Sequence, residues 1–296
     1  MNTADARHRL PRGRLFALIL LAMSFVGATT GHGQGLSGLS GGGSALEITA
    51  EDGISWRRDE QVYVARGNAL ATRDDLAVRA DKLTAHYREG SEGGGSEIYR
   101  IEADGSVQLS TPSETAHGER GVYDLDKAVM VLTGQNLRLV TGSETITARD
   151  SLEYWDDKSL AVARGNAVAR NTAETGGERR ISANVLTAYF NRDGGENGGG
   201  QEVRRIEAFE NVRVASPNTF ARGDRGVYLT RTRVATLVGD VKVSRGENQL
   251  NGGYAVVNLE TGVSRLLGAP PDSDAKARVR GLIRPGDDGL DAPAAE

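Results

Sequence analysis

Two stretches of this chain each occur twice, in the same order. Ile48-Thr49-Ala50 runs on to Val64-Ala65-Arg66-Gly67-Asn68-Ala69, and 98 positions later Ile146-Thr147-Ala148 runs on to Val162-Ala163-Arg164-Gly165-Asn166-Ala167. Residues 48–71 and 146–169 align without a gap, with 12 identities in 24. At an offset of 105, Ile101-Glu102-Ala103 through Gly118-Glu119-Arg120-Gly121-Val122-Tyr123 matches Ile206-Glu207-Ala208 through Gly223-Asp224-Arg225-Gly226-Val227-Tyr228, with 11 identities in 23. A short unit that cannot bury its own apolar face must stack on its neighbours. The chain is therefore expected to form one body by stacking, not two unrelated halves.

Between the repeated words the chain alternates polar and apolar residues, as in Gln61-Val62-Tyr63-Val64, Ser106-Val107-Gln108-Leu109, Asn136-Leu137-Arg138-Leu139, Asn211-Val212-Arg213-Val214 and Asp240-Val241-Lys242-Val243. Period two is the mark of strands with one wet face. No window carries a comparable helical period, so the expected class is all-β. A glycine, an alternating strand and a second strand ending in Tyr recur about every 30 residues. Examples run from Gly67 to Tyr87, Gly105 to Tyr123, Gly134 to Tyr154, Gly165 to Tyr189, Asn211 to Tyr228 and Gly239 to Val257. The Gly-Asn and Gly-Asp pairs are expected to form tight turns at strand junctions, where positive φ is needed. Glycine-rich insertions at 89–96 and 193–200 occupy equivalent points of the two long repeats, 46–145 and 146–268.

Arg7, His8, Arg9, Arg12 and Arg14 precede an apolar run from Leu15 to Val26, and Val26-Gly27-Ala28 offers small residues for cleavage. Residues 1–28 therefore read as a cleaved secretory signal peptide and predict export. Residues 29–45 read as a Gly/Ser-rich linker, and 269–296 as a flexible acidic, Ala/Pro-rich tail with an edge strand over 278–283. There is no cysteine, which excludes disulfides, thiolate metal sites and thiol nucleophiles. The net charge is −4, and the basic residues are scattered singly along strands, so no global basic field recruits nucleic acid.

Catalytic signatures are missing. His86 and His117, the histidines of the repeats, have no second ligand at metal spacing. Gly93-Gly94-Gly95 is followed by no Lys-Ser/Thr, and there is no nucleophile elbow. The reading is of a protein that is not an enzyme and needs no cofactor or metal.

The tandem pattern Ala-Arg-Gly-Asn-Ala, then Ala80-Asp81-Lys82-Leu83, then Gly-Glu/Asp-Arg-Gly-Val-Tyr, then Leu132-Thr133-Gly134 or Leu237-Val238-Gly239 resembles the OstA/LptA family of periplasmic lipopolysaccharide-transport proteins, over about residues 46–268. Alanine replaces the usual valine after both Gly-Asn pairs, and the glycine-rich insertions are extra. The resemblance implies an open, slightly twisted, V-shaped antiparallel β-jellyroll whose apolar groove holds the acyl chains of lipid A. It also implies an LptC-like partner at the N-terminal edge, an LptD-like partner at the C-terminal edge and head-to-tail self-association. A dozen buried methylenes supply on the order of 10 kcal/mol gross.

Parity nominates Val62, Val64, Val107, Leu109, Val122, Val131, Leu137, Leu139, Ile146, Leu152, Leu160, Val162, Leu186, Val212, Val214, Val227, Leu237, Val241 and Val243 for the groove. Tyr123 and Tyr228 are expected to buttress turns. Arg120 and Arg225 are expected to pair with the acidic residue before each. Residues 46–54 and 256–267 are the expected edges. The alternatives are a membrane-anchored LptC-like or LptD N-terminal-like component, or a secreted β-repeat structural protein that binds no lipid. A β-helix polysaccharide enzyme would need parallel rungs and a carboxylate cluster, and neither is apparent.

Overall fold

The computed structural model describes residues 46–73, 75–89, 96–142, 144–171, 178–191, 203–217, 219–258, 264–274 and 277–284. The expected signal peptide (1–28) and linker (29–45), most of 89–96, all of 193–200 and the end of the expected tail lie outside the described residues. The strands are β1 (Glu47–Thr49), β2 (Ile54–Arg57), β3 (Val62–Arg73), β4 (Leu76–Glu89), β5 (Ser96–Ser110), β6 (Glu114–Asp124), β7 (Val129–Thr133), β8 (Leu137–Thr141), β9 (Glu144–Ala148), β10 (Ser151–Trp155), β11 (Leu160–Asn171), β12 (Arg179–Phe190), β13 (Val203–Ser216), β14 (Thr219–Leu229), β15 (Val234–Arg245), β16 (Asn248–Asn258), β17 (Ser264–Leu267) and β18 (Arg280–Leu282). Among the described residues all strand pairings are antiparallel, and most join neighbours in sequence. The fold is an open antiparallel β-jellyroll of stacked strand pairs.

The Gly-Asn pairs are not turns between strands. They lie inside long strands and bend them. On β3, Arg66 pairs with Lys82 and Ala69 with Ala80, so Gly67 and Asn68 together oppose Asp81 alone. The same two-residue bulge recurs at Gly105-Ser106, Gly165-Asn166, Glu210-Asn211 and Gly239-Asp240, and every one of these residues has positive φ. Each bulge bends its strand sharply, as extra residues in a ladder do. The bends align from strand to strand and divide the body into two half-sheets joined along one corner. Elsewhere the corner is a break: it separates β1 from β2, β7 from β8, β9 from β10 and β17 from β18.

A carboxylate faces each corner glycine. A Cβ on Gly67 would stand 2.5 Å from the Asp52 carboxylate; Asp81, Glu119, Asp150 and Asp224 occupy the same place over Gly105, Gly134, Gly165 and Gly239. This explains why an acid recurs across the corner from each of these glycines: it fills the space that the missing side chain leaves. The exception follows the same logic. Glu210 takes the glycine position with φ 60°, and the residue opposite is Asn184, whose amide donates to Glu210 Oε2 at 2.8 Å.

The first half-sheet contains β1, the parts of the long strands from Ala69 to Arg73, Leu76 to Ala80 and their equivalents, β8, β9 and β18. The second contains β2, β7, β10, β17 and the remaining halves. Fourteen strand layers at ~4.8 Å give a body roughly 60 Å long. Both ends finish on strands of three or four residues, and the last of them, β18, comes from beyond the repeats.

Candidate functional site

Two half-sheets that meet at a corner enclose a seam, and its lining follows from register. In the first half-sheet one inward row reads Ile48, Ala71, Val78, Leu109, Ala116, Leu139, Ile146, Ala169, Ile181, Val214, Ala221, Val243 and Leu250, each paired to the next. In the second, the facing row reads Ile54, Ala65, Leu83, Ala103, Gly121, Leu132, Leu152, Ala163, Leu186, Ala208, Gly226, Leu237, Ala255 and Leu266. No polar side chain interrupts either row. Their buried members form two interior clusters, one per long repeat, and Leu152 packs against both. The seam is therefore apolar from end to end.

Its two lips differ. On the second half-sheet the outer inward row carries Trp56, Tyr63, Tyr123, Met130, Tyr154 and Tyr228, with Tyr87 and Phe190 one step further out. At the N-terminal mouth Trp56 stacks on Tyr63 at 5.7 Å and its indole N–H donates to Tyr87 Oη at 2.7 Å. Trp56 and Ile54 remain half exposed there, beside a cleft lined by Leu46, Ile48, Tyr63, Ala71, Leu83 and Ile101. The first half-sheet presents polar residues at its lip: Glu114, Thr141, Glu144, Asn171 and Arg179 in one register line, then Ser216, Thr219, Arg245 and Asn248 in another.

Burial acts on that polar lip. It pushes the Glu144 carboxyl up to about 7, against an opposing hydrogen bond from the Asn171 amide at 3.3 Å, and it raises Glu114 as well. Folded Glu144 keeps its proton up to about pH 7, whereas the unfolded chain releases it near 4.5. Stability is thus lost as pH rises between those values. Glu144→Gln is expected to match the wild type near pH 4.5 and to exceed it above pH 7, by on the order of 3 kcal/mol. Thermal melts across that range check it; equal melting at pH 8 would count against a buried Glu144. Inside the seam the Tyr123 hydroxyl is pushed up to about 12, chiefly by burial, and has no hydrogen-bond partner among the described residues.

The interior clusters hold or are packed by Val107, Leu109, Leu137, Leu139, Ile146, Leu152, Leu186, Val212, Val214, Leu237, Val241 and Val243. Val62, Val64, Val122, Val131, Leu160, Val162 and Val227 belong to neither. Their register puts them on the opposite face: Val64 pairs with Thr84 while its neighbour Ala65 pairs with Leu83 inside. In the inward row nearest the corner on this half-sheet, Ala and Gly share the space with Leu, as in Ala65, Leu83, Ala103, Gly121 and Leu132. The valines of Val-Ala and Gly-Val-Tyr stand on the other face, where Val62, Val64 and Val162 are themselves buried by their neighbours. Tyr123 and Tyr228 are interior residues, 8% and 3% exposed. The sequence signal for them was present: each lies two positions after an inward glycine, Gly121 or Gly226, and so shares its parity.

Arg120 and Arg225 pair across strands, not with the residue before them. Arg120 reaches Asp104 at 3.1 Å, and Lys82 holds the same carboxylate at 2.8 Å. These two cations keep Asp104 below its ordinary range. In the second repeat Phe209 takes the place of Asp104; Arg225 lies over its ring at 5.0 Å and reaches buried Glu207 at 3.3 Å, which Arg205 also meets at 2.9 Å. Among the described residues no group of three or more His, Asp or Glu is placed to hold a metal ion.

A family model described as LptA/(LptD N-terminal domain) LPS transport protein matches the chain twice, over residues 47–154 and 145–263. An uncharacterized protein of Rhizobium meliloti (strain 1021) is 28% identical over 131 residues, which is 43% of this chain and 69% of the relative. The crystal structure of LptH, the LptA homologous periplasmic component of the lipopolysaccharide transport device of Pseudomonas aeruginosa, aligns with a TM-score of 0.39 and 18% identity, covering 48% of this chain and 95% of LptH.

Proposed function

The chain belongs to the LptA/LptD N-terminal family of lipopolysaccharide-transport proteins, and from that membership we propose that it is a periplasmic carrier that holds lipid A acyl chains in its seam. The observation that carries the reading is the unbroken pair of apolar rows between half-sheets that are joined at one corner only. Apolar chains gain about 0.8 kcal/mol per buried CH₂ there. An open side lets the sugars stay in water and lets the lipid move along the seam. The aromatic lip and the polar lip suit a ligand with an apolar body and a wet end. The unpartnered Tyr123 hydroxyl gives such a ligand a donor inside.

The edges complete the proposal. At the N-terminal end β1 and β2 pair with β3 alone, and at the C-terminal end β17 and β18 pair with β16 alone. Short edge strands with free outer backbone accept added strands. An LptC-like partner is assigned to β1–β2 and an LptD-like partner to β17–β18, with head-to-tail copies extending the seam between membranes. The two family matches lie in tandem, so one chain supplies the length of two such domains in one continuous ladder.

Photocrosslinking in cells tests the reading. A crosslinker at Leu139, Leu186 or Tyr228 is expected to give a lipopolysaccharide adduct, and one at Val162 or Val227, on the opposite face, is not. Folded protein with no adduct at any interior position would leave a structural repeat protein that carries no lipid.

A further inference from the structure

Scattered in sequence, the basic residues come together on the outer face of the first half-sheet. One row of cross-strand neighbours runs from Thr49 on β1 to Arg280 on β18. It contains Arg79, Arg138, Arg213, Arg222, Lys242 and Arg280, and no carboxylate. The next outward row adds Arg170 and Arg180, and its one acid is Glu47 at the N-terminal edge. The second half-sheet is different: its outward arginines alternate with Glu102, Asp104, Glu153 and Glu207, and they pair with them. Along the shared corner Asp52, Asp81, Glu119, Asp150 and Asp224 lie over the corner glycines, while Glu51, Glu210 and Asp240 meet Asn68, Asn184 and Arg222. A chain of net charge −4 thus carries a largely cationic face, bordered along the corner by exposed acids.

This arrangement costs stability. Arg213 is directly opposite Arg222, and Arg222 opposite Lys242. Strands are ~4.8 Å apart, well inside a screening length of ~8 Å, and like charges in opposed positions are destabilising. Internal relief is slight: Arg222 meets Asp240 at 2.7 Å and Arg170 meets Glu178 at 3.7 Å. His117, in the same row, is held below its usual value by burial and then by Arg138 beside it. The C-terminal part of the face adds apolar groups that a charged surface does not need. Phe220 is 38% exposed, and Leu282, in register with it through Ser244 and Gln249, is 59% exposed.

We propose that this outer face docks on the surface of an anionic phospholipid bilayer, with Arg213, Arg222, Lys242 and Arg280 over the headgroups and Phe220 and Leu282 at the interface. An extended polyanionic surface matches an extended row of cations, and exposed Phe and Leu among cations are what a bilayer interface accommodates. The site is separate from the seam, on the other side of the same strands, so docked protein keeps its seam free for cargo.

Sedimentation of the exported chain with vesicles of phosphatidylglycerol in phosphatidylcholine, against phosphatidylcholine alone, tests the proposal. Binding is expected on the anionic vesicles only, and to fall with added salt. The triple variant R213Q/R222Q/K242Q is expected to bind roughly a hundredfold more weakly, from about 1 kcal/mol per cation near the surface. Phe220→Ser is expected to weaken binding several-fold without changing the salt dependence. R120Q/R164Q, which removes cations from the other half-sheet, is the control and is expected to bind as the wild type does. Equal binding to neutral vesicles, no binding to either, or a triple variant that binds like the wild type while melting normally would overturn it. Lipopolysaccharide adducts from Leu139 in the triple variant report on the seam separately, so failure of one proposal does not conceal the other.

Discussion

Gly105→Val is expected to destabilise the protein by about 3–5 kcal/mol, read as a lower urea midpoint with an unchanged slope. Two effects add. Gly105 has φ 77°, a left-handed conformation that costs an L residue ~1–2 kcal/mol and a β-branched one more. Its new side chain also falls on the Asp81 carboxylate, an overlap of the kind that costs roughly 1–3 kcal/mol. Adding Asp81→Ala is expected to recover the overlap and leave the backbone cost, so about half returns. A loss under about 1 kcal/mol in the single variant would mean that the corner is soft and that the glycine–carboxylate pairing has another purpose.

The second large effect separates two adjacent residues. Leu132 is 3% exposed and faces the seam, paired with Gly121 on one side and Leu152 on the other. Leu132→Ala is expected to cost about 3 kcal/mol, through lost burial and a cavity that two rigid half-sheets cannot close. Val131 stands on the opposite face, and Val131→Ala is expected to cost less than about 1 kcal/mol. Urea titrations of the two variants decide the matter. Equal costs, or a larger one for Val131, would reverse the assignment of faces on which the seam rests.

That assignment was only partly legible beforehand. Leu109, Leu139, Val214 and Val243 lie in strands whose inward residues are also the large ones, so alternation alone placed them. In Val62-Tyr63-Val64-Ala65 the valines are the stronger apolar signal, yet the inward residues are Tyr63 and Ala65. Alternation names two faces without saying which is inside. The choice is made by register, which sets Ala65 in line with Leu83, Ala103, Gly121 and Leu132 on one face. Val162 and Val227 have the parity of Val64 in the second repeat, beside the inward Ala163 and Gly226.

What the sequence by itself determined is the all-β class, the stacking of repeated strand pairs and the family, because each depends on local period and on residues a few positions apart. The meaning of the glycines was decided by tertiary structure: a Gly-Asn pair has the same positive φ in a hairpin turn and in a bulge, and only the strand on either side shows that the chain continues. The cationic face was decided there too. Arg79, Arg138, Arg213 and Lys242 are far apart in the chain, and each looks like one charge on one wet strand. Register puts them in a single row, because a β-sheet makes neighbours of residues that sequence separates.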